Sequence, residues 1–494
     1  MSRLKRMWML ALVAVAVSTA RGQDSTAPAQ DNSQQQPVPA YGQESSPAPI
    51  TENPPISGLD QPGLEPHSAP LSYLQPGATV SESADSNITN GLGGSTTRSV
   101  SRALGSLTLQ RLWSHYDLAL QYVGGVGYYD QKGIGWKLMQ QMDLDQKITW
   151  KRGKLSVRDS FSYLPEGTFG AAYGSLGSQG IESLGNTGFG GLFGGATLGT
   201  LGLVPRLANV SVAEVEETLT PKSAITALGG YGLVHFYGND PLTQMSYLNN
   251  SQTSGQVGYN RIISAHDQIA LVYGYQRFDF SSIGTSFHSN VVQLMYGHRV
   301  SGRMDFLVGA GPQITDISAT SLVCSLPIIP AGPQCTGAGF QNVQITEKDR
   351  KIGVAIRGRL RYRFPRTSVD LTYLRHETSG SGFFAGAQTD EATLRADRPL
   401  SRVWSGFADL GYARNSRLLS SGGIPAKTYN SGFAGVGVHR AFGRNFHGFI
   451  SYQFNELAFD SSICGAGSSG CSHIGHRHVG TIGLDWTPRP IRID

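Results

Sequence analysis

Between Arg350 and Glu377 the chain reads RKIGVAIRGRLRYRFPRTSVDLTYLRHE, with arginine at every second position from Arg357 through Arg359 and Arg361 to Arg363. A helix turns about 100° per residue and would scatter these side chains around its cylinder, whereas a strand sets all four on one side. The other parity holds Ile352, Val354, Ile356, Leu360, Tyr362 and Phe364, while Lys351 joins the arginines. One strand therefore has an apolar, aromatic face and a charged reverse. Phe364-Pro365-Arg366-Thr367 then reads as a turn, because proline fixes its own φ and restricts the residue before it. A second alternating run starts at Ser368.

The same period recurs in about sixteen runs between Leu118 and Trp486. In the segment from Trp136 to Trp150 the even positions carry Trp136, Leu138, Met142, Leu144, Ile148 and Trp150. The odd ones carry Lys137, Gln141, Asp143, Asp145, Lys147 and Thr149. Aromatic residues thus stand at both ends of the apolar side, as interfacial girdles require. Connections alternate in length: KRGK, TPKS, SAHD, VSGR, FPRT, PLSR and FGRN are short, and the intervening stretches, Glu166 to Asn209 and Asp316 to Asp349 among them, are long. Short turns at one end and long loops at the other, with an even strand number, predict an all-β fold: a transmembrane antiparallel up-and-down β-barrel of about 16 strands.

Composition agrees. Of 494 residues 15% are charged, against about 25% in soluble domains, and glycine is abundant at 63 residues. No stretch beyond the N-terminus approaches the roughly 18 apolar residues of a spanning helix. Residues 1–22 read as a secretory signal, with Arg3, Lys5 and Arg6 ahead of an apolar stretch from Met7 to Val17 and Ala20-Arg21-Gly22 as the cleavage site. Its removal takes four positive charges and no acid from a formal +5, leaving +1, so the basic balance gives no case for a nucleic-acid partner. Residues 23–105 are read as a Pro/Gln-rich, acidic, disordered periplasmic segment, and residues 106–494 as the barrel. Eight acids and no Lys or Arg lie between Gln23 and Thr97, which suggests a tail able to enter a basic lumen as a salt-sensitive plug. ISGLDQPGLEP and SESADSNITN, less repetitive than their surroundings, read as short docking elements.

From about residue 117 to 487, on these alternating runs and loop lengths, the chain resembles Gram-negative outer-membrane β-barrels of the porin-like class. SESADSNITN is similar to the segment leading into β-barrel porins linked to polysaccharide export. The resemblance implies insertion into outer-membrane lipid by the barrel assembly machinery and passage of small solutes. One departure concerns the end of the chain: such barrels usually finish on an aromatic residue, but here Trp486 is followed by TPRPIRID.

On the lipid face an arginine at the bilayer midplane costs about 2–4 kcal/mol, so Lys351, Arg357, Arg359, Arg361 and Arg363, with Lys137, Asp143, Asp145 and Lys147, are expected to line the pore. Two roles are open to the arginines. They form an anion-attracting strip, or they pair with acids on nearby strands such as Asp370, Glu391, Asp397 and Asp409 as braces. Cys324 with Cys335, and Cys464 with Cys471, read as two loop disulfides in an exported chain. Zinc at Cys464, Cys471, His473, His476 and His478 fits the spacing poorly, so no metal or cofactor is expected. No G-x-S-x-G occurs, and no triad can be assigned. The expected function is diffusion of small solutes through a non-enzymatic, porin-like channel. The alternatives are an accessory of a polysaccharide-export system whose tail meets a periplasmic partner, and a surface adhesin.

Overall fold

The computed structural model describes residues 55–58, 72–88, 96–131, 134–166, 203–237, 247–325, 341–380, 382–419, 426–464 and 472–493. Their strands are β1 (Tyr73–Asp85), β2 (Arg98–Leu112), β3 (Tyr116–Tyr129), β4 (Gly135–Trp150), β5 (Gly153–Glu166), β6 (Leu203–Thr220), β7 (Ser223–Phe236), β8 (Asn250–Ile262), β9 (Asp267–Phe280), β10 (Thr285–Ser301), β11 (Met304–Ser325), β12 (Gln341–Arg363), β13 (Ser368–Thr378), β14 (Ala387–Pro399), β15 (Trp404–Arg417), β16 (Thr428–Phe442), β17 (Phe446–Phe459), β18 (Ile474–Trp486) and β19 (Ile491–Arg492). Each of the first eighteen pairs antiparallel with its neighbours in sequence, and β1 also pairs with β18, from Ala78 opposite Trp486 to Asp85 opposite Val479. The sheet closes, so no long edge is left unpaired.

The barrel has eighteen strands rather than about sixteen. β1 and most of β2 fall inside the stretch expected to be disordered, so the barrel starts at Tyr73 and not near residue 106. The outward side of β1 carries Leu74, Pro76, Ala78, Val80, Glu82 and Ala84, so its large apolar residues Leu74 and Val80 are separated by Pro76 and Ala78. In β2, Val100 and Leu104 are buried on the inward side and blur the alternation. Neither strand therefore shows the greasy stripe that revealed the others. The residues after Trp486 have a place too: β19 pairs with Tyr73 and Leu74 at the foot of β1.

Inside and outside are reversed relative to a soluble domain. Leu138, Leu271, Leu294, Ile352, Val436, Ile450 and Ile482 are exposed on one parity of their strands, while Gln141, Gln256, Asn260, Gln313, Ser451 and Gln453 are buried on the other. Water would penalise such an outer surface, whereas lipid favours it. Trp113, Trp150, Phe364, Trp404, Phe442, Phe446 and Trp486 stand exposed by the short turns. Toward the loop end Tyr128, Trp136 and Tyr237 are exposed as well. On β4, fourteen rises of about 3.3 Å at a tilt of about 40° put Trp136 and Trp150 about 35 Å apart along the axis, close to the distance between two membrane interfaces. Near the turns Arg440 lies over Trp404 at 5.2 Å and Arg111 over Trp113 at 4.9 Å, extending charge toward the headgroups.

Candidate functional site in the barrel lumen

Cross-strand register decides what each arginine of β12 can reach. Arg361 stands opposite Asp305 on β11 and Asp370 on β13, and its Nη2 meets an Asp305 carboxylate oxygen at 2.7 Å. Arg359 faces Leu307 and Thr372, so it reaches diagonally to Asp370 at 2.8 Å. Arg357 faces Gly309 and Leu374, neither of them an acid. It is 8% exposed and has no carboxylate within ion-pair distance among the described residues. Arg363 lies at the foot of β12, its main-chain N–H donating to the Arg303 carbonyl at 2.7 Å. Lys351 donates its ammonium to the Leu418 carbonyl. Two of the arginines are thus braces, and one stands alone.

On the opposite side of the ring the inward residues of β4 form a second charged group. Asp145 lies 3.4 Å from Lys147 and 3.3 Å from Arg158 of β5, while Asp143 accepts from Ser160 at 2.6 Å and from Gln141 at 3.1 Å. Lys137 sits nearer the loop end on the same parity, half-buried. Sequence reasoning identified these residues but not their partners on β5, because a pairing between inward faces is visible only once the register is known.

The loop between β13 and β14 turns back into the lumen. Gly380, Gly382 and Gly386 have φ of 78°, 81° and 90°, a left-handed backbone that side chains resist. Space is also short, since a Cβ on Gly382 would come within 2.9 Å of the Phe236 ring and one on Gly386 within 2.5 Å of Phe287. Phe383 and Phe384 are consequently driven inward and buried. The Phe383 ring lies 5.5 Å from Tyr247, 5.5 Å from Tyr429 and 5.2 Å from Phe459, and the Leu248 N–H donates to the Gly382 carbonyl at 2.9 Å. These contacts join the β7–β8 connection to β16 and β17, almost opposite on the ring. An aromatic cross-piece therefore spans the loop end of the lumen. Sequence reasoning did not single it out; the one trace it leaves there is the Phe383-Phe384 pair among glycines.

A second internal occupant comes from the N-terminal segment. Pro55, Ile56, Ser57 and Gly58 are all buried against the inward faces of β6 to β11, toward the short-turn end. Thus part of ISGLDQPGLEP does dock. The stretch SESADSNITN begins within β1 and closes the seam instead of preceding the barrel. Asp85 and Arg477 of β18 are both 0% exposed and joined by a two-point pair, with Arg477 Nε at 3.0 Å and 3.1 Å from the two carboxylate oxygens.

Outside the membrane, burial raises the Asp460 carboxyl, but hydrogen bonds from Ser462 and from the N–H groups of Thr428 and Lys427 outweigh it. The net effect holds it below the usual carboxylate range. This ties the β17–β18 loop to the start of β16. No cysteine among the described residues is free, and Cys335 and Cys471 lie outside those residues, as do residues 167–202 of the long glycine-rich loop. His476 lies 3.5 Å from Glu456, and His478 Nδ1 shares a 2.8 Å hydrogen bond with the Tyr452 hydroxyl. No group of three metal-ligating side chains occurs among the described residues.

A closed antiparallel sheet that is apolar outside and polar inside defines the class: this is a transmembrane β-barrel. Its structure is similar to the outer membrane protein opdK of Pseudomonas aeruginosa, at 10% identity and a TM-score of 0.38, covering 85% of this chain and 100% of that one. A BenF-like porin from Pseudomonas fluorescens matches at 8% identity and 0.38, over 85% of this chain and 99% of that one. The ferric-catecholate import receptor Fiu of E. coli matches at 10% identity and 0.40, over 85% and 82%. No protein-family model matches the chain, and no curated protein matches it significantly.

Proposed function

We propose that this barrel is a channel for passive diffusion of small hydrophilic solutes across the outer membrane, with a mild preference for anions. Eighteen strands fall in the size range at which a closed barrel leaves an aqueous channel. The inward wall is predominantly polar, and the aromatic cross-piece narrows it. The preference rests on a single observation, the position of Arg357 opposite Gly309 and Leu374, where its charge is not cancelled across the strands. Arg359 and Arg361 contribute little, because Asp370 and Asp305 neutralise them. Cys324–Cys335 and Cys464–Cys471 disulfides would close outer loops in this reading, and solutes rather than cofactors are the ligands. Planar-bilayer recording tests it. Purified barrel should give discrete conductance steps, and its reversal potential in a KCl gradient should favour chloride in the parent and lose that bias in Arg357→Gln. Absence of steps would refute the channel, and an unchanged reversal potential would refute the role of Arg357.

A further inference from the structure

We propose that the turn Pro55–Gly58 is a tethered gate, docked in a site on the lumen wall that the barrel is built to hold; its effect on permeation rests on the channel reading above. The turn closes on itself, the Gly58 N–H donating to the Pro55 carbonyl at 3.0 Å. All the polar atoms it offers at Ser57 are taken by the wall. The Ser57 N–H donates to Asn260 Oδ1 at 3.1 Å, Gln256 Nε2 donates to the Ser57 carbonyl at 3.0 Å, and the Ser57 hydroxyl shares a 2.6 Å hydrogen bond with Thr226 Oγ1. Asn260 Nδ2 donates to the same hydroxyl. Two of these bonds read the main chain, so the site fixes the conformation of the turn as well as its side chain.

The apolar half of the site is the stronger argument. Inward positions of a pore wall face water, yet Ala270 and Val272 of β9, Met295 of β10 and Leu307 of β11 form an apolar cluster on that side, with Ile56 seated among them. Without an occupant this cluster would be an exposed greasy patch in the lumen. Room has been left for the occupant: a Cβ on Gly258 would fall 2.6 Å from the Ser57 Cβ, and one on Gly297 would fall 3.2 Å from Ile56 Cγ2. Gly58 is held just as closely, a Cβ there meeting Glu214 Oε1 at 3.0 Å. Since none of the four docked residues is charged, salt screens the attachment little, unlike the acidic plug expected from composition. The remainder of that acidic segment between residues 23 and 71 lies outside the described residues. A pull on the segment from the periplasm would withdraw the turn and widen the short-turn end of the lumen.

Two full-length variants test this. Ile56→Asp combined with Ser57→Asp should undock the turn and raise single-channel conductance about 1.5-fold or more over the parent. Ser57→Cys combined with Thr226→Cys should form an internal crosslink on mild oxidation of the folded barrel, detected by mass after proteolysis, and keep the parent's lower conductance. Unchanged conductance in a folded aspartate variant would overturn the gate, and failure of the cysteines to crosslink in a folded, heat-modifiable barrel would overturn the docking. Should the aspartate variant not assemble, the crosslink yield decides the docking alone. A parent without conductance would count against the channel reading while the crosslink still reported the docked turn.

Discussion

The seam between the first and last strands contains a buried ion pair, Asp85 with Arg477, and its removal has a calculable cost. Asp85 and Arg477 are 0% exposed, and Asp85 also accepts from the Asn87 N–H at 2.9 Å. Asp85→Ala deletes the carboxylate and leaves a buried guanidinium without its counter-charge, a change worth about 3–5 kcal/mol. Backbone pairing of β1 with β18 survives the substitution, so the barrel should still close but open more readily at the seam. Replacing both members with apolar residues, Asp85→Leu with Arg477→Met, removes the stranded charge. The double variant should lie within about 1 kcal/mol of the parent or above it, and the cycle should show strong coupling. Urea unfolding from liposomes, followed by tryptophan fluorescence and by heat-modifiable mobility, measures each corner. A loss below about 1 kcal/mol in Asp85→Ala, or a double variant equal to the sum of the singles, would refute the reasoning by showing the pair to be well solvated.

Three more outcomes test separate parts of the structure. Val436 lies near the middle of β16 and is 54% exposed, so Val436→Arg should cost about 2–4 kcal/mol in a liposome refolding assay. Phe383→Ala removes the ring that joins Tyr247, Tyr429 and Phe459, and should raise conductance without abolishing assembly, as bilayer recording and gel mobility would report. Gly386→Val puts a β-branched side chain at a φ of 90° against Phe287 and should displace the cross-piece, giving noisier or larger current steps than the parent.

Sixteen strands were legible because lipid requires an apolar outer face, and alternation between that face and a polar lumen leaves a period-two trace in the sequence. β1 and β2 left too little trace: on the outward side of β1 the large apolar residues Leu74 and Val80 are separated by Pro76 and Ala78, and Val100 and Leu104 turn inward on β2. The inward direction of Arg357 to Arg363 could be reasoned from cost alone. Which of them are neutralised could not, since that depends on the register placing Asp305 and Asp370 opposite Arg361 and Leu374 opposite Arg357. Asp85 and Arg477 are 392 residues apart and meet only because the barrel closes. ISGLDQPGLEP stood out as a docking element, but nothing in the chain names Thr226, Gln256 and Asn260 as its seat. That site is assembled from two strands brought together by the β7–β8 register, in which Thr226 stands opposite Gly258.

Spin labels placed one at a time from residue 352 to 362 of β12, in barrels reconstituted into liposomes, test most directly that lipid surrounds the sheet and water fills it. Oxygen, which partitions into lipid, should relax labels at Ile352, Val354, Ile356, Leu360 and Tyr362, and a water-soluble nickel chelate should relax those at Arg357, Arg359 and Arg361. A period of two between the reagents is the predicted result; even-numbered labels shielded from both would mean that another protein layer, not lipid, covers the apolar face.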